Sequence, residues 1–182
     1  MYKRQFQEWG GRLLNDIADA TKAVQKELSI GREQTCAFGA SYGGYAALAM
    51  AYKYSELYEC VAGGMGVYDM LILRDGTDDS IYTTQDNYEE IAKKHWGDNR
   101  DVLIDFSPVF NADKMQSRIL MWHGLQDPIS PIVHMDLMKE ALEKNNIPYQ
   151  AITMSKIGHT FGQKDDIKAH LPVLKDFLFN EL

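Results

Sequence analysis

The run Thr35-Cys36-Ala37-Phe38-Gly39-Ala40-Ser41-Tyr42-Gly43-Gly44-Tyr45 decides the fold. Its first part, Thr35 to Ala40, is continuous rather than alternating in character, as expected of a strand buried on both faces. Tyr45 to Tyr54 is alanine-rich and reads as a helix. Between them stands Gly39-x-Ser41-x-Gly43. A serine on a sharp strand-to-helix turn lifts its hydroxyl clear of the sheet. Gly39 and Gly43 would remove side chains that collide where strand and helix approach. The Tyr42 N–H, at the start of the helix, could then donate to a developing oxyanion. The same residues would also suit a glycine-rich turn with a capping serine. The strand before and the helix after favour a nucleophile at Ser41.

Outward from this turn, helix and strand patterns alternate. Leu13, Leu14, Ile17, Val24 and Leu28 mark the apolar face of a helix from about Gly11 to Leu28, which Gly31 ends. Strands are expected at Glu59–Met65, at Arg118–Trp122 running into His123-Gly124, and at Tyr149–Met154. Ile132–Lys144 is a helix with Val133, Leu137, Met138, Ala141 and Leu142 as its stripe. Asp165–Phe179 is a last helix, kinked or broken at Pro172. This alternation predicts an α/β fold: a parallel sheet with right-handed crossovers and helices on both faces. The long connection Val67–Ser117 is polar from Asp75 to Ser80 and aromatic at Tyr82, Tyr88 and Trp96. It is either a lid or pocket wall, or a surface excursion with short helices of its own. Thr35–Ala40 looks like a central strand. At the edge of the sheet its backbone would invite another chain, so either the protein forms a homo-oligomer through that edge or upstream strands are missing.

Composition excludes several classes. Among 182 residues, 19 Lys+Arg face 26 Asp+Glu, a net charge of −7. Such a chain repels phosphate backbones, so no nucleic-acid partner is expected. No apolar run approaches the roughly 18 residues of a membrane span, so no membrane partner is expected either. Cys36 and Cys60 read as small core residues. With no visible signal peptide they tilt the compartment slightly towards the cytoplasm.

A serine nucleophile needs a base, and the base an orienting acid. In α/β-hydrolases the chain order is Ser, then Asp or Glu, then His. Asp127 follows the third strand and His159 the fourth, both near the carboxyl edge where open α/β sheets place their sites. Asp69 and Asp105 are rivals for the acid, but neither directly follows a strand with a turn glycine. His123 reads as a satisfied core or turn histidine. His95, His134 and His170 read as surface or packing residues. No histidine spacing supports a metal, and no cofactor is expected.

With these residues in place, the sequence resembles the catalytic domain of the prolyl oligopeptidase family of serine peptidases. Gly39 to Tyr45 looks like its G-x-S-Y-G-G-Y motif. Ser107-Pro108, then Arg118 to Gly124 and Asp127, look like its S-P…P-x-L-x-x-H-G-x-x-D stretch, with Ser117-Arg118 replacing the usual apolar-Pro approach. Gly158-His159-Thr160-Phe161 is similar to its G-H-x-F. Phe6, Gly10-Gly11 and Asp16 resemble its F…W-G-G…D segment. The resemblance implies an α/β-hydrolase domain of about eight strands. Residues 1–182 would then form one domain that is a C-terminal portion of it, lacking the N-terminal strands and the propeller that precedes them. It implies cleavage of short peptides through an acyl-enzyme, with Ser41, Asp127 and His159 as catalytic residues. Tyr42 N–H would be one oxyanion donor, and the second would come from the upstream region. Losing such a donor costs about 10²–10³ in rate. Val67, Tyr68, Asp69 and Met70 match the region that walls the specificity pocket, and Val67, Tyr68 and Met70 would suit an apolar or proline side chain. An esterase or acyl-hydrolase of the same fold, or a truncated inactive domain used in assembly, stands as the alternative.

Overall fold

The computed structural model describes residues 6–162 and 164–179. Its centre is a four-stranded sheet in the order β1-β2-β3-β4, with every neighbouring pair parallel. The strands are β1 (Cys36–Ala40), β2 (Cys60–Gly64), β3 (Arg118–Gly124) and β4 (Tyr149–Met154). Helix α1 (Arg12–Leu28) precedes β1, and α2 (Tyr42–Lys53) links β1 to β2. Helix α6 (Val133–Lys144) links β3 to β4, and α7 (Lys164–Phe179) closes the described chain.

The continuous apolar character of the strands has a direct structural cause. Val61, Ile119 and Met121 face one core with Leu48, Met50, Met138 and Leu142. Their neighbours Cys60, Ala62, Leu120 and Trp122 face a second core with Met154, Ile157 and Phe177 of α7. Side chains alternate across a strand, so a sheet covered on both faces must be apolar at every position.

Several expectations need correction. The Thr35–Ala40 run holds β1, which lies at the edge of the sheet among the described residues. Phe38 is accordingly 50% exposed and stacks on Trp122. Helix α1 is turned away from its expected stripe. Leu14 and Ala18 are buried, whereas Ile17, Val24 and Leu28 are exposed. The inward line continues through polar residues instead. Thr21 Oγ1 lies 2.6 Å from Tyr58 OH, and Gln25 Nε2 donates to Leu57 O at 3.0 Å. These bonds hold the helix against the chain leading into β2, a pattern that hydrophobicity alone does not register. Left-handed Ser29 (φ 54°) closes α1, not Gly31. Helix α7 runs through Pro172 as one element rather than breaking there.

The cysteines are also not free. Cys36 and Cys60 are register partners across β1 and β2, with Cα atoms 4.6 Å apart, and form a disulfide. Two side chains directly opposite on neighbouring strands fall within disulfide reach. The tilt towards the cytoplasm loses the support it drew from them.

The long connection has both expected characters. It holds short helices α3 (Met70–Asp75), α4 (Tyr88–Trp96) and α5 (Arg100–Asp105), then a 3-10 stretch at Pro108–Lys114. Arg74 fastens α3 to α4 and to the turn after it: buried, it pairs bidentately with Glu89, bonds Asp98, and donates to Gly97 O at 2.9 Å. Several of its residues also wall a cavity beside Ser41. No helix among the described residues is long and apolar enough to cross a membrane.

Candidate active site

Ser41 sits at the junction of β1 and α2 with φ 57° and ψ −124°. A non-glycine residue at positive φ is strained, and the strain here is what lifts the hydroxyl off the sheet. The Ser41 N–H donates to Gly64 O at 2.9 Å, which ties the turn to β2. The glycines around it act differently from the sequence expectation. A Cβ on Gly39 would run into the Gly43 backbone, and one on Gly44 into the carbonyl of Gly64. A Cβ on Gly43 would meet nothing within 4 Å. Gly39 and Gly44 are therefore the positions where close approach demands glycine, not Gly43. The first N–H groups of a helix lack partners within it, so the Tyr42 and Gly43 N–H groups open α2 unpaired by the helix.

Asp127 and His159 converge on this serine. His159 Nε2 lies 2.8 Å from Ser41 Oγ, and His159 Nδ1 lies 2.8 Å from Asp127 Oδ2. With Nδ1–H donating to the carboxylate, Nε2 is left to accept the serine O–H. The other carboxylate oxygen, Oδ1, accepts the N–H groups of Ile129 at 2.9 Å and Ser130 at 3.0 Å. The acid is thus held at both oxygens, and its side chain is fully buried. Asp69 does not compete for the histidine: its Oδ1 caps α3 through Leu71 and Ile72 N–H. Asp105 pairs with Lys53 at 2.7 Å instead.

Beside the serine and histidine opens a cavity of about 440 Å³. Trp9, Tyr42, Met65, Val67, Leu73, Ile91, Trp96 and Ile129 supply apolar surface, and Tyr82, Gln85, Tyr88 and His95 supply polar atoms. Val67 lies on the wall. Tyr68 and Met70 do not: both are fully buried in the core, because the chain turns inward after β2 to start α3. The wall that replaces them comes from the long connection and from Trp9, whose aromatic content was the only sequence signal. Tyr42 OH donates to Trp9 O at 2.9 Å, and burial raises its phenol well above the usual range, so it stays a donor. Tyr88 OH donates to Leu73 O, and burial, the largest cause, pushes it up to about 12. His95 is pushed down, first by burial and then by Lys94, which favours a neutral ring on the wall.

Two further histidines are buried, His123 in the core position expected of it and His134 more deeply than a surface reading allows. His123 is fully buried behind the acid. Its Nε2–H donates to Ser130 O at 2.7 Å, its Nε2 lies 3.6 Å from Asp127 Oδ2, and its Nδ1 has no partner among the described residues. It is therefore only half satisfied. Burial is the main cause that lowers its pKa. His134, on α6, is buried as well and bonds Asp78. Among the described residues no cluster of three or more His, Cys, Asp or Glu side chains is arranged to hold a metal.

The family described as the prolyl oligopeptidase family matches residues 2–182. Dipeptidyl aminopeptidase BIII of Pseudoxanthomonas mexicana is 26% identical over 180 residues, covering 94% of this chain and 25% of that protein. Dipeptidyl peptidase family member 6 of Caenorhabditis elegans is 27% identical over 155 residues, covering 84% of this chain and 21% of that protein. A puromycin hydrolase crystal structure superposes with a TM-score of 0.83 at 23% identity, covering 97% of this chain and 26% of its own. That last likeness is one of fold. The chain spans about a quarter of the length of the curated relatives it matches.

Proposed function

The chain belongs to the prolyl oligopeptidase family, and from that premise we propose that it carries the acyl-transfer centre of a serine peptidase acting on short peptides. The observation that supports this most is the continuous line Asp127–His159–Ser41, with both links at 2.8 Å, opening onto an apolar cavity.

In this reading Ser41 Oγ attacks the carbonyl carbon of a scissile bond while its proton passes to His159 Nε2. Asp127 holds Nδ1–H and stabilises the imidazolium that forms. The oxyanion of the tetrahedral intermediate accepts from Tyr42 N–H. When the intermediate collapses, the C–N bond breaks and His159 returns its proton to the leaving amine. A water then repeats the sequence on the acyl-serine, delivering its proton to His159 and freeing the acid. The acyl-side residue of the peptide would enter the cavity, whose Val67, Leu73, Ile91 and Ile129 suit an apolar side chain. The relatives carry names that describe removal of dipeptides, which agrees with a short peptide substrate. The outer edge of β1 is where further strands or a second copy would add.

The test is intact-mass spectrometry after fluorophosphonate treatment, on the chain and on Ser41→Ala. A single adduct that the variant lacks supports the reading. No adduct on the intact chain would count against an assembled centre. Aminoacyl amides compared with simple esters then separate a peptidase from an esterase.

A further inference from the structure

The polar run Asp75–Ser80 contains one carboxylate that does not face water. Asp78 is 1% exposed, and its Oδ2 lies 3.2 Å from Nε2 of His134, which is also fully buried. The imidazole has a second bond: Asp69 N–H donates to His134 Nδ1 at 3.4 Å. Nδ1 is thus an acceptor, and Nε2–H is the donor to Asp78. One neutral ring then satisfies three chain segments: the start of α6, the entry to α3, and the polar run. Burying a carboxylate and an imidazole costs stability unless each is bonded, so a pair placed this deep holds its segments in one arrangement.

What it holds borders the site on two sides. Asp78 Oδ1 accepts Ser80 N–H at 3.2 Å, and the N–H of the next residue, Ile81, donates to Pro128 O at 2.8 Å. Pro128 adjoins Asp127, and Tyr82 and Gln85, just past Ile81, line the cavity. On the other side, α6 begins at Val133, three residues after Ser130 of the Asp127–Ser130 turn.

We propose that Asp78 and His134 are positioning residues, which clamp the Tyr82–Gln85 wall of the cavity onto the turn that carries the acid and thereby set the preference for large apolar side chains. The proposal rests on the hydrolase reading of this cavity. It gives the buried carboxylate a purpose that a solvated loop would not need.

The test uses the full chain with Asp78→Ala, His134→Ala and the conservative His134→Gln, whose amide retains an acceptor for Asp69 N–H and a donor towards Asp78. Three readouts are compared: hydrogen exchange of the Ile81 and Gln85 amides, the rate of fluorophosphonate labelling of Ser41, and kcat and KM for peptidyl amides with phenylalanine or alanine on the acyl side. In the alanine variants Ile81 should exchange at least about tenfold faster while the sheet amides stay protected. KM for the phenylalanyl amide should rise about tenfold with kcat and the alanyl amide within about threefold, as when ground-state binding alone is lost. His134→Gln should restore most of both, and labelling should be little changed. Unchanged exchange and KM would overturn the proposal. So would an equal loss for both amides with loosening of the whole sheet, since that is what a merely structural pair gives. If the unmodified chain takes no fluorophosphonate, the hydrolase reading has failed. The exchange of Ile81 then decides alone whether the pair holds the wall.

Discussion

His159 Nε2 lies 2.8 Å from Ser41 Oγ across 118 residues of chain. The two loops reach each other because the parallel strands β1 and β4 end on the same edge, with β3 delivering Asp127 between them. Gly124 makes the last approach, since a Cβ there would strike the Ile157 and Gly158 carbonyls. Gln126 N–H then donates to Ile157 O at 3.0 Å, joining the acid's turn to the histidine's.

Asp127→Asn should separate orientation from charge. An amide can still accept from the Ile129 and Ser130 N–H groups, so the turn should persist. The carboxylate that holds His159 Nδ1–H is gone, and the wrong tautomer is favoured. The expected loss in kcat is about 10⁴-fold, measured on a peptidyl amide with an unchanged circular dichroism spectrum. A loss below about tenfold would mean that another group orients His159.

The glycines give opposite expectations at adjacent positions. Gly44→Ala must push its Cβ into the Gly64 carbonyl, which belongs to the backbone of β2 and has no rotamer to escape into. It should cost about 2 kcal/mol or more, by the usual scale for overpacking. Gly43→Ala meets open space in the first turn of α2, where alanine is favoured over glycine by up to about 1 kcal/mol. Denaturant midpoints of the two variants check this. Equal destabilisation of both would show that Gly43 is enclosed by something outside the described residues.

The meeting of Ser41, Asp127 and His159 was legible because each residue leaves a local mark: a glycine-flanked serine between strand and helix, and an aspartate and a histidine just past later strands. The fold class was legible for a similar reason, since a two-faced sheet forces continuous apolar strands. Other features depend on partners distant in sequence. The inward line of α1 runs through Thr21 and Gln25, which bond Tyr58 and Leu57 and carry no hydrophobic signal. Cys36 and Cys60 pair only because β1 and β2 align them. The wall placed on Tyr68 and Met70 went wrong because one turn inward at α3 exchanges core for cavity, and periodicity does not reveal that turn in a short helix.

Stability should fall as the pH drops below neutral, and His123 should carry part of the slope. Burial holds its folded-state pKa below the usual value of about 6.5. The unfolded chain therefore takes up a proton near pH 6.5, while the folded chain resists until a lower pH. Between those two points the unfolded state binds more protons, so stability is complete above about pH 6.5 and is lost as the pH falls. His95 is shifted the same way and contributes alongside. Thermal midpoints measured from about pH 7 to about pH 5 should decline, and His123→Gln should flatten the decline without removing it. An identical slope in the variant would take His123 out of the account.

The cysteine pair should be oxidised in protein purified without reductant, and no thiol should titrate after denaturation. The bridge closes a loop between positions 24 residues apart, for which chain entropy predicts about 3 kcal/mol. The double variant Cys36→Ala with Cys60→Ala should lose roughly that much in denaturant titration. Because β1 pairs with β2 alone among the described residues, its amides should lose hydrogen-exchange protection before those of β3. Two titratable thiols in the air-purified chain would sink this expectation.

Ser41 should limit the stability of the fold it serves. At φ 57° and ψ −124° a residue with a Cβ carries strain of order 1–3 kcal/mol, which glycine would not. Ser41→Ala keeps the Cβ and the strain, whereas Ser41→Gly releases it at the cost of about 0.4–1 kcal/mol of extra freedom in the unfolded chain. Both variants lose the bond to His159, so that contribution cancels between them. Ser41→Gly should therefore be more stable than Ser41→Ala by about 1 kcal/mol, read as a shift in urea midpoint at constant slope, and both should be inactive. Equal midpoints would mean that the elbow relaxes once the hydroxyl is gone, and that the strain belongs to the serine's contact with His159 rather than to the turn.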